Sequence, residues 1–163
     1  YGSYWFGKHG ALHIAKLLTQ DPMSRRAVIP MYGTDIDHMD IEAKDVPCTL
    51  AIEFRIRNGR LNARAIMRSQ DILWGMANDL PTFSFLQEIV ANLVGAEMGT
   101  LTVSAGSFHV YESRLTMFND IINANIHEVL VDKPPRINRY EAYILAGKSI
   151  NPTFEFAKWL SNV

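Results

Sequence analysis

Asn58-Gly59 constrains this chain more than any other pair of residues. Both residue types tolerate positive φ, and the pair stands between two strand-like runs, residues 48–57 and 60–68, so it predicts a two-residue hairpin turn. In a tight antiparallel pair the outer ends of the two strands meet. Cys48, at the start of the first run, and Arg68, at the end of the second, are therefore expected side by side although 20 residues separate them in sequence.

The remaining elements follow from periodicity. Leu12, Ile14, Ala15, Leu17 and Leu18 recur at helical spacing within residues 7–20, and Asp21-Pro22 ends the pattern. Residues 26–32 read as a strand entered just after the paired Arg25 and Arg26, and residues 33–45 as an acidic loop. Phe83, Leu86, Ile89, Val90 and Leu93 mark a long buried helix over 80–94 that ends at Gly95, with Asp79 near its N-terminal cap. A strand over 100–111 and helices over 114–125, 138–145 and 152–160 complete the chain. Strands in hairpins beside long helices predict an α+β layered fold. With 163 residues, 48% of them hydrophobic, the chain can bury one sizeable core, so a single domain is expected over residues 1–163. The opening Tyr1-Gly2, without an initiator methionine, reads as the middle of something, and upstream sequence is expected to be missing.

Charge and cysteine content narrow the chemistry. A formal net charge of −1 gives no bulk attraction for nucleic acid, so any phosphate must be held by a few placed basic residues. No apolar run approaches the roughly 20 residues needed to cross a bilayer, and a cytoplasmic protein with no membrane partner is expected. The lone Cys48 cannot form an internal disulfide; it is either a buried inert thiol or a reactive one. His9 and His13 share a helix face but lack a third ligand at a convincing spacing, and Asp35, Asp37, His38 and Asp40 read as a solvated loop, so no metal is expected.

Five separated motifs carry a resemblance: Tyr1-Gly2-Ser3-Tyr4-Trp5, Asp21-Pro22-Met23-Ser24-Arg25-Arg26, Pro47-Cys48, the run from Arg68-Ser69 through Asp71 and Gly75 to Asn78-Asp79, and His109-Val110-Tyr111. In order and spacing they resemble the thymidylate synthase superfamily, and within it the deoxycytidylate or cytidylate hydroxymethylases. The resemblance implies a mixed, largely antiparallel sheet packed by long helices, with one sheet face used for dimerisation. It implies that Cys48 adds as thiolate to C6 of a pyrimidine, making the otherwise poorly nucleophilic C5 able to attack a one-carbon donor. Arg68 and Ser69 would hold the phosphate within their own subunit, and Arg25 and Arg26 would reach it from the other, which makes an obligate homodimer. His109 and Tyr111, two apart on an expected strand, would grip the sugar 3′-hydroxyl. Tyr1 would assist proton removal at C5, while Asp71, Trp5 and Gly75 would meet the folate. Thr49 stands where the synthases usually carry histidine, a departure that favours a hydroxymethylase-like member.

Asp79 is expected to choose the base. The uracil-specific synthases place asparagine there, whose amide matches the N3 donor and O4 acceptor of uracil. Cytosine presents an N3 acceptor beside an N4 donor. A protonated aspartic acid answers that pattern, as does a carboxylate facing a protonated N3, and Asn78 also matches the hydroxymethylase pattern. The bland alternative is that Asp79 merely caps the following helix. The resemblance therefore implies conversion of CMP or dCMP, 5,10-methylenetetrahydrofolate and water to the 5-hydroxymethyl nucleotide and tetrahydrofolate. A thymidylate synthase methylating dUMP, and a catalytically idle nucleotide-binding homologue, are the alternatives.

Overall fold

A computed structural model describes residues 2–32, 42, 44, 46–124 and 136–146. Tyr1, the loop bearing Asp35, Asp37, His38 and Asp40, and the helix expected over 152–160 lie outside the described residues. In chain order the elements are α1 (Gly2–Trp5), α2 (Ala11–Gln20), β1 (Val28–Pro30), β2 (Thr49–Arg57), β3 (Arg60–Met67), β4 (Gln70–Asp71), α3 (Gly75–Val94), β5 (Glu97–Ala105), β6 (Phe108–His109), a 3-10 turn (Glu112–Arg114), α4 (Leu115–Asn123) and α5 (Arg139–Ala146).

Asn58 and Gly59 take φ values of 52° and 74°, the pair of positive angles a type I′ turn requires, and β2 and β3 pair antiparallel around them. The main sheet has the order β1-β2-β3-β5. Its first three strands are antiparallel, whereas β5 joins β3 in parallel, Arg60 facing Glu97 and Met67 facing Ala105. A parallel neighbour needs a crossover, and α3 supplies it. The sheet is therefore mixed and the fold α+β.

Alternation along the strands puts Ile52 and Phe54 of β2, with Leu61, Ala63 and Ala65 of β3, on one face, where they are buried with Ile14 and Leu18 of α2 and Phe83, Leu86 and Val90 of α3. Full burial of each larger side chain contributes about 1.5–3 kcal/mol. The opposite face carries Glu53, Arg55, Asn62, Arg64, Thr100 and Thr102 around a shallow depression.

The long helix begins at Gly75, five residues earlier than the expected start at residue 80. Trp74 is the N-cap residue, and the entry to the helix is held by Asp71 three residues before it, whose carboxylate accepts from the backbone N–H groups of Leu73 (3.3 Å), Trp74 (2.9 Å) and Gly75 (3.3 Å). Asp79 thus lies inside the second turn and does not cap the helix. Pro81 sits in the interior, where it cannot donate to the Ala77 carbonyl. At the far end Gly95, with φ 76°, closes the helix in the left-handed conformation, as expected from sequence. The strand expected over 100–111 is divided: β5 ends at Ala105, and β6 pairs separately with β4. α5 opens with a reciprocal cap, Asn138 Oδ1 accepting from the Glu141 N–H at 2.9 Å and Glu141 Oε2 from the Asn138 N–H at 2.7 Å.

Candidate active site

The hairpin sets the first two residues. Cys48 precedes β2 and is exposed, and its carbonyl accepts the Arg68 N–H at 2.9 Å. The Arg68 guanidinium turns back onto the same segment, donating from Nε to the Pro47 carbonyl (2.9 Å) and from Nη2 to the Val46 carbonyl (2.8 Å). A cation is thereby held on the peptide units immediately before the thiol. Two charge-assisted bonds are among the stronger contacts a loop can have.

Beyond Arg68 the chain runs beside the segment that follows β5. Gly106 N–H donates to the Met67 carbonyl, Gln70 N–H to the Ser107 carbonyl and Ile72 N–H to the His109 carbonyl, at 2.8–3.0 Å. A Cβ on Gly106 would stand 3.1 Å from the Arg68 carbonyl oxygen, so the close approach favours glycine. This pairing brings Ser69 Oγ to 3.5 Å from His109 Nδ1. The His109 and Tyr111 rings lie edge to face with centroids 5.0 Å apart, on one side of the strand and its extension.

Asp79 enters from α3. It shares a helix stripe with Phe83, Leu86 and Val90, and so points inward at the end of the apolar row. With Cys48 it lines a cleft of about 360 Å³, whose other walls are Tyr4, Met31, Val46, Pro47 and Thr49. A volume of this size suits a small-molecule site. Gln70, which is 2% exposed, donates from Nε2 to Asp79 Oδ2 at 3.1 Å.

The other candidates are placed as follows. Asp71 spends its carboxylate on the start of α3; desolvation opposes its ionisation, but the three backbone N–H groups and the nearby His109 outweigh that and hold its pKa below the ordinary aspartate value. Gly75 packs against the Gln70 side chain, where a Cβ would stand 3.2 Å from Nε2. Asn78 is exposed and directs its amide to the Trp74 carbonyl at 2.7 Å, away from the cleft wall. Trp5 is a core residue, 5% exposed, with its ring 6.4 Å from Phe6 and 6.5 Å from Phe83; its neighbour Tyr4 takes the place in the cleft. Arg25 and Arg26 are exposed at the opposite end of the sheet from Cys48. The Ala27 carbonyl accepts from the Phe54 N–H, and six strand residues, about 20 Å, separate Phe54 from Cys48. Neither arginine reaches the cleft of its own chain. His9 and His13 rings are 5.3 Å apart, and among the described residues no three His, Cys, Asp or Glu side chains gather as a metal site.

Two residues at the site, Tyr4 in the cleft wall and Gln70 behind Asp79, were not among the sequence candidates. Tyr4 was within sight, inside the aromatic Tyr1–Trp5 segment. Gln70 has no sequence signal, because its partner lies nine positions away across a turn.

Comparison with known proteins gives the family. The thymidylate synthase family profile matches residues 11–138, and the chain belongs to that family. Its members use methylenetetrahydrofolate as co-substrate in one-carbon transfer to a nucleotide. A deoxyuridylate hydroxymethyltransferase of Bacillus phage SP01 is 37% identical over 92 residues, 56% of this chain and 24% of the phage protein. That of Pseudomonas phage M6 is 36% identical over 121 residues, 71% of this chain and 34% of its own length. The thymidylate synthase of Listeria monocytogenes serotype 4a (strain HCC23) is 24% identical over 144 residues, 85% of this chain and 45% of that enzyme. The chain spans from about a quarter to about half of the length of the curated relatives it matches. No helix among the described residues is long and apolar enough to cross a membrane.

Proposed function

We propose that this chain carries the catalytic centre of a folate-dependent pyrimidine nucleotide C5-hydroxymethyltransferase acting on CMP or dCMP. The net reaction joins the nucleotide, 5,10-methylenetetrahydrofolate and water to give the 5-hydroxymethyl nucleotide and tetrahydrofolate. One observation supports it most: an exposed thiol and a half-buried carboxyl, Cys48 and Asp79, line the same cleft. Cys48 as thiolate adds to C6, which sends electron density to C5; after substitution there, C5 loses its proton and the thiolate departs, restoring the ring. Asp79 pairs with N3 and the 4-amino group, sharing one proton with them. Arg68 and Ser69 take the phosphate, and His109 with Tyr111 the sugar hydroxyl.

The donor set fits a bound folate. Three of the roughly four lone-pair directions of the Asp71 carboxylate are used by the start of α3, which leaves capacity for one ligand N–H. When bound there, beside Gly75, the folate would supply a one-carbon unit at the oxidation level of formaldehyde. Because Arg25 and Arg26 stand about 20 Å from the thiol of their own chain, they serve the site of a second copy, docked through the polar sheet face.

The names of the two phage relatives favour a second reading, the same hydroxymethyl transfer to deoxyuridylate. Tritium release from C5-labelled CMP, dCMP and dUMP, with mass analysis of the product, separates the possibilities. Release from a cytidylate with a hydroxymethyl product is expected. A preference for dUMP overturns the base assignment, and a methyl product makes the enzyme a synthase. Cys48→Ser should abolish release; unchanged turnover would remove the nucleophile from the scheme.

A further inference from the structure

Hydroxymethyl transfer asks one thing of the cleft that nucleotide binding does not: a water molecule must be held against the one-carbon unit once tetrahydrofolate has left. At that stage C5 carries an exocyclic methylene and C6 the Cys48 sulfur. The water oxygen bonds to the methylene carbon and the π pair moves onto C5 and C4; it then restores C5=C6 as the C6–Sγ bond breaks and Cys48 departs as thiolate. One proton passes from the water to solvent, and nothing is oxidised or reduced. Because any other nucleophile that enters can take the same methylene, the outcome depends on how well water is placed.

The cleft lining leaves few groups for that task. Met31, Val46 and Pro47 are apolar, Thr49 is 0% exposed, Cys48 is the nucleophile of the proposed reaction and Asp79 its base reader. Tyr4 remains. It is half-buried, and among the described residues its hydroxyl has no hydrogen-bond partner, so it is free to hold water both as acceptor and as donor. The same side chain lines a second cavity of about 270 Å³, together with Gly7, Lys8, His9, Ile29, Pro30 and Tyr32. Lys8 and His9 are exposed at its rim, and at roughly 30 Å³ per molecule it has room for several waters. Among the described residues Tyr4 is the one common to both linings.

We propose that Tyr4 is the water-positioning residue of the hydroxymethyl transfer, its hydroxyl accepting a hydrogen bond from the water that adds to the methylene, with the second cavity as the source of that water. This rests on the hydroxymethyl reading above. It holds whether the base is cytosine or uracil.

The test lets a thiol compete with water. 2-Mercaptoethanol added to turnover mixtures captures the methylene as a thioether in place of the hydroxymethyl product, and mass analysis gives the ratio of the two. That ratio reports the capture step alone, however fast the methylene is formed. In Tyr4→Phe, which keeps the ring and removes the oxygen, the hydroxymethyl to thioether ratio should fall about tenfold at a fixed thiol concentration, the equivalent of one hydrogen bond. Tyr4→Gln, which returns a polar group at lower reach, should lie between the two. A merely structural tyrosine would change tritium release from C5 and leave the ratio intact. An unchanged ratio in both variants, with thermal melting confirming that they fold, overturns the role of Tyr4. A native chain that yields a methyl product and no hydroxymethyl product overturns the reading of the reaction instead.

Discussion

Two carboxylates define what can be learned residue by residue. Asp79→Asn should shift preference from cytosine toward uracil, because each mismatched buried polar group costs about 1–3 kcal/mol, or roughly five- to 150-fold in kcat/KM. Nucleotide phosphate affinity should hardly change, since Arg68 and Ser69 lie on a different segment; equal losses for both bases would count against base reading. Asp71 makes a prediction about pH. Its pKa is depressed in the folded chain, so its contribution is fully present above the ordinary aspartate value of about 3.9 and is lost as pH falls through the lowered one. Urea midpoints from pH 7 to pH 3 should therefore drop more steeply for the native chain than for Asp71→Asn, which can still cap but does not titrate. Asp71→Ala should cost about 0.5–2 kcal/mol at neutral pH through loss of the cap. The adjacency of Cys48 and Arg68 was legible beforehand because a two-residue turn dictates it. The use of Asp71 as a cap was not, since its partners are backbone amides that every sequence supplies.

At the scale of elements, the junction of β3 with β5 is the most finely adjusted. The register shifts between Leu61 and Ala63, and Asn62 Oδ1 accepts both the Thr100 N–H (2.9 Å) and its hydroxyl (3.0 Å). Gln87, buried on α3, donates to the carbonyls of Leu61 (2.8 Å) and Thr100 (3.2 Å), satisfying groups that the irregular ladder leaves over. Gln87→Leu should destabilise the fold by about 2 kcal/mol, seen as a fall in Tm of about 5 °C. Gly99→Ala should be worse, because its Cβ would meet both Asn62 Oδ1 and the Leu61 carbonyl. None of this could be read from periodicity, which sees apolar spacing and not the polar repairs between strands. The same blindness moved the start of α3. Asp79 followed by Leu80-Pro81 resembles a cap and first turn, where proline is at home, yet the helix runs through it from Gly75.

For the whole molecule, the placement of Arg25 and Arg26 far from their own Cys48 leads to a mixing experiment. Chains carrying Cys48→Ala and chains carrying Arg25→Ala with Arg26→Ala should each be inactive or severely impaired. On the dimer proposed above, mixing under exchange should recover about a quarter of the native sites, because half the dimers would be hybrids with one intact site each. Failure to recover any activity, with hybrid dimers shown to form, would place the phosphate in a single chain. The α+β class and the hairpin were legible from local patterns. The parallel pairing of β5 with β3 was not, because it depends on where a 20-residue helix lays the chain down, a long-range choice without a local signature. That crossover also orders the assembly of the protein in time. The hairpin closes over two residues and can form early, whereas the β3–β5 pairing must wait for α3 to dock and for a much longer loop to close. An emerging chain should therefore bring its thiol beside Arg68 before Asp79 and His109 arrive, an order that pulsed alkylation of Cys48 during refolding, with early protection of the hairpin amides ahead of those of β5, would check.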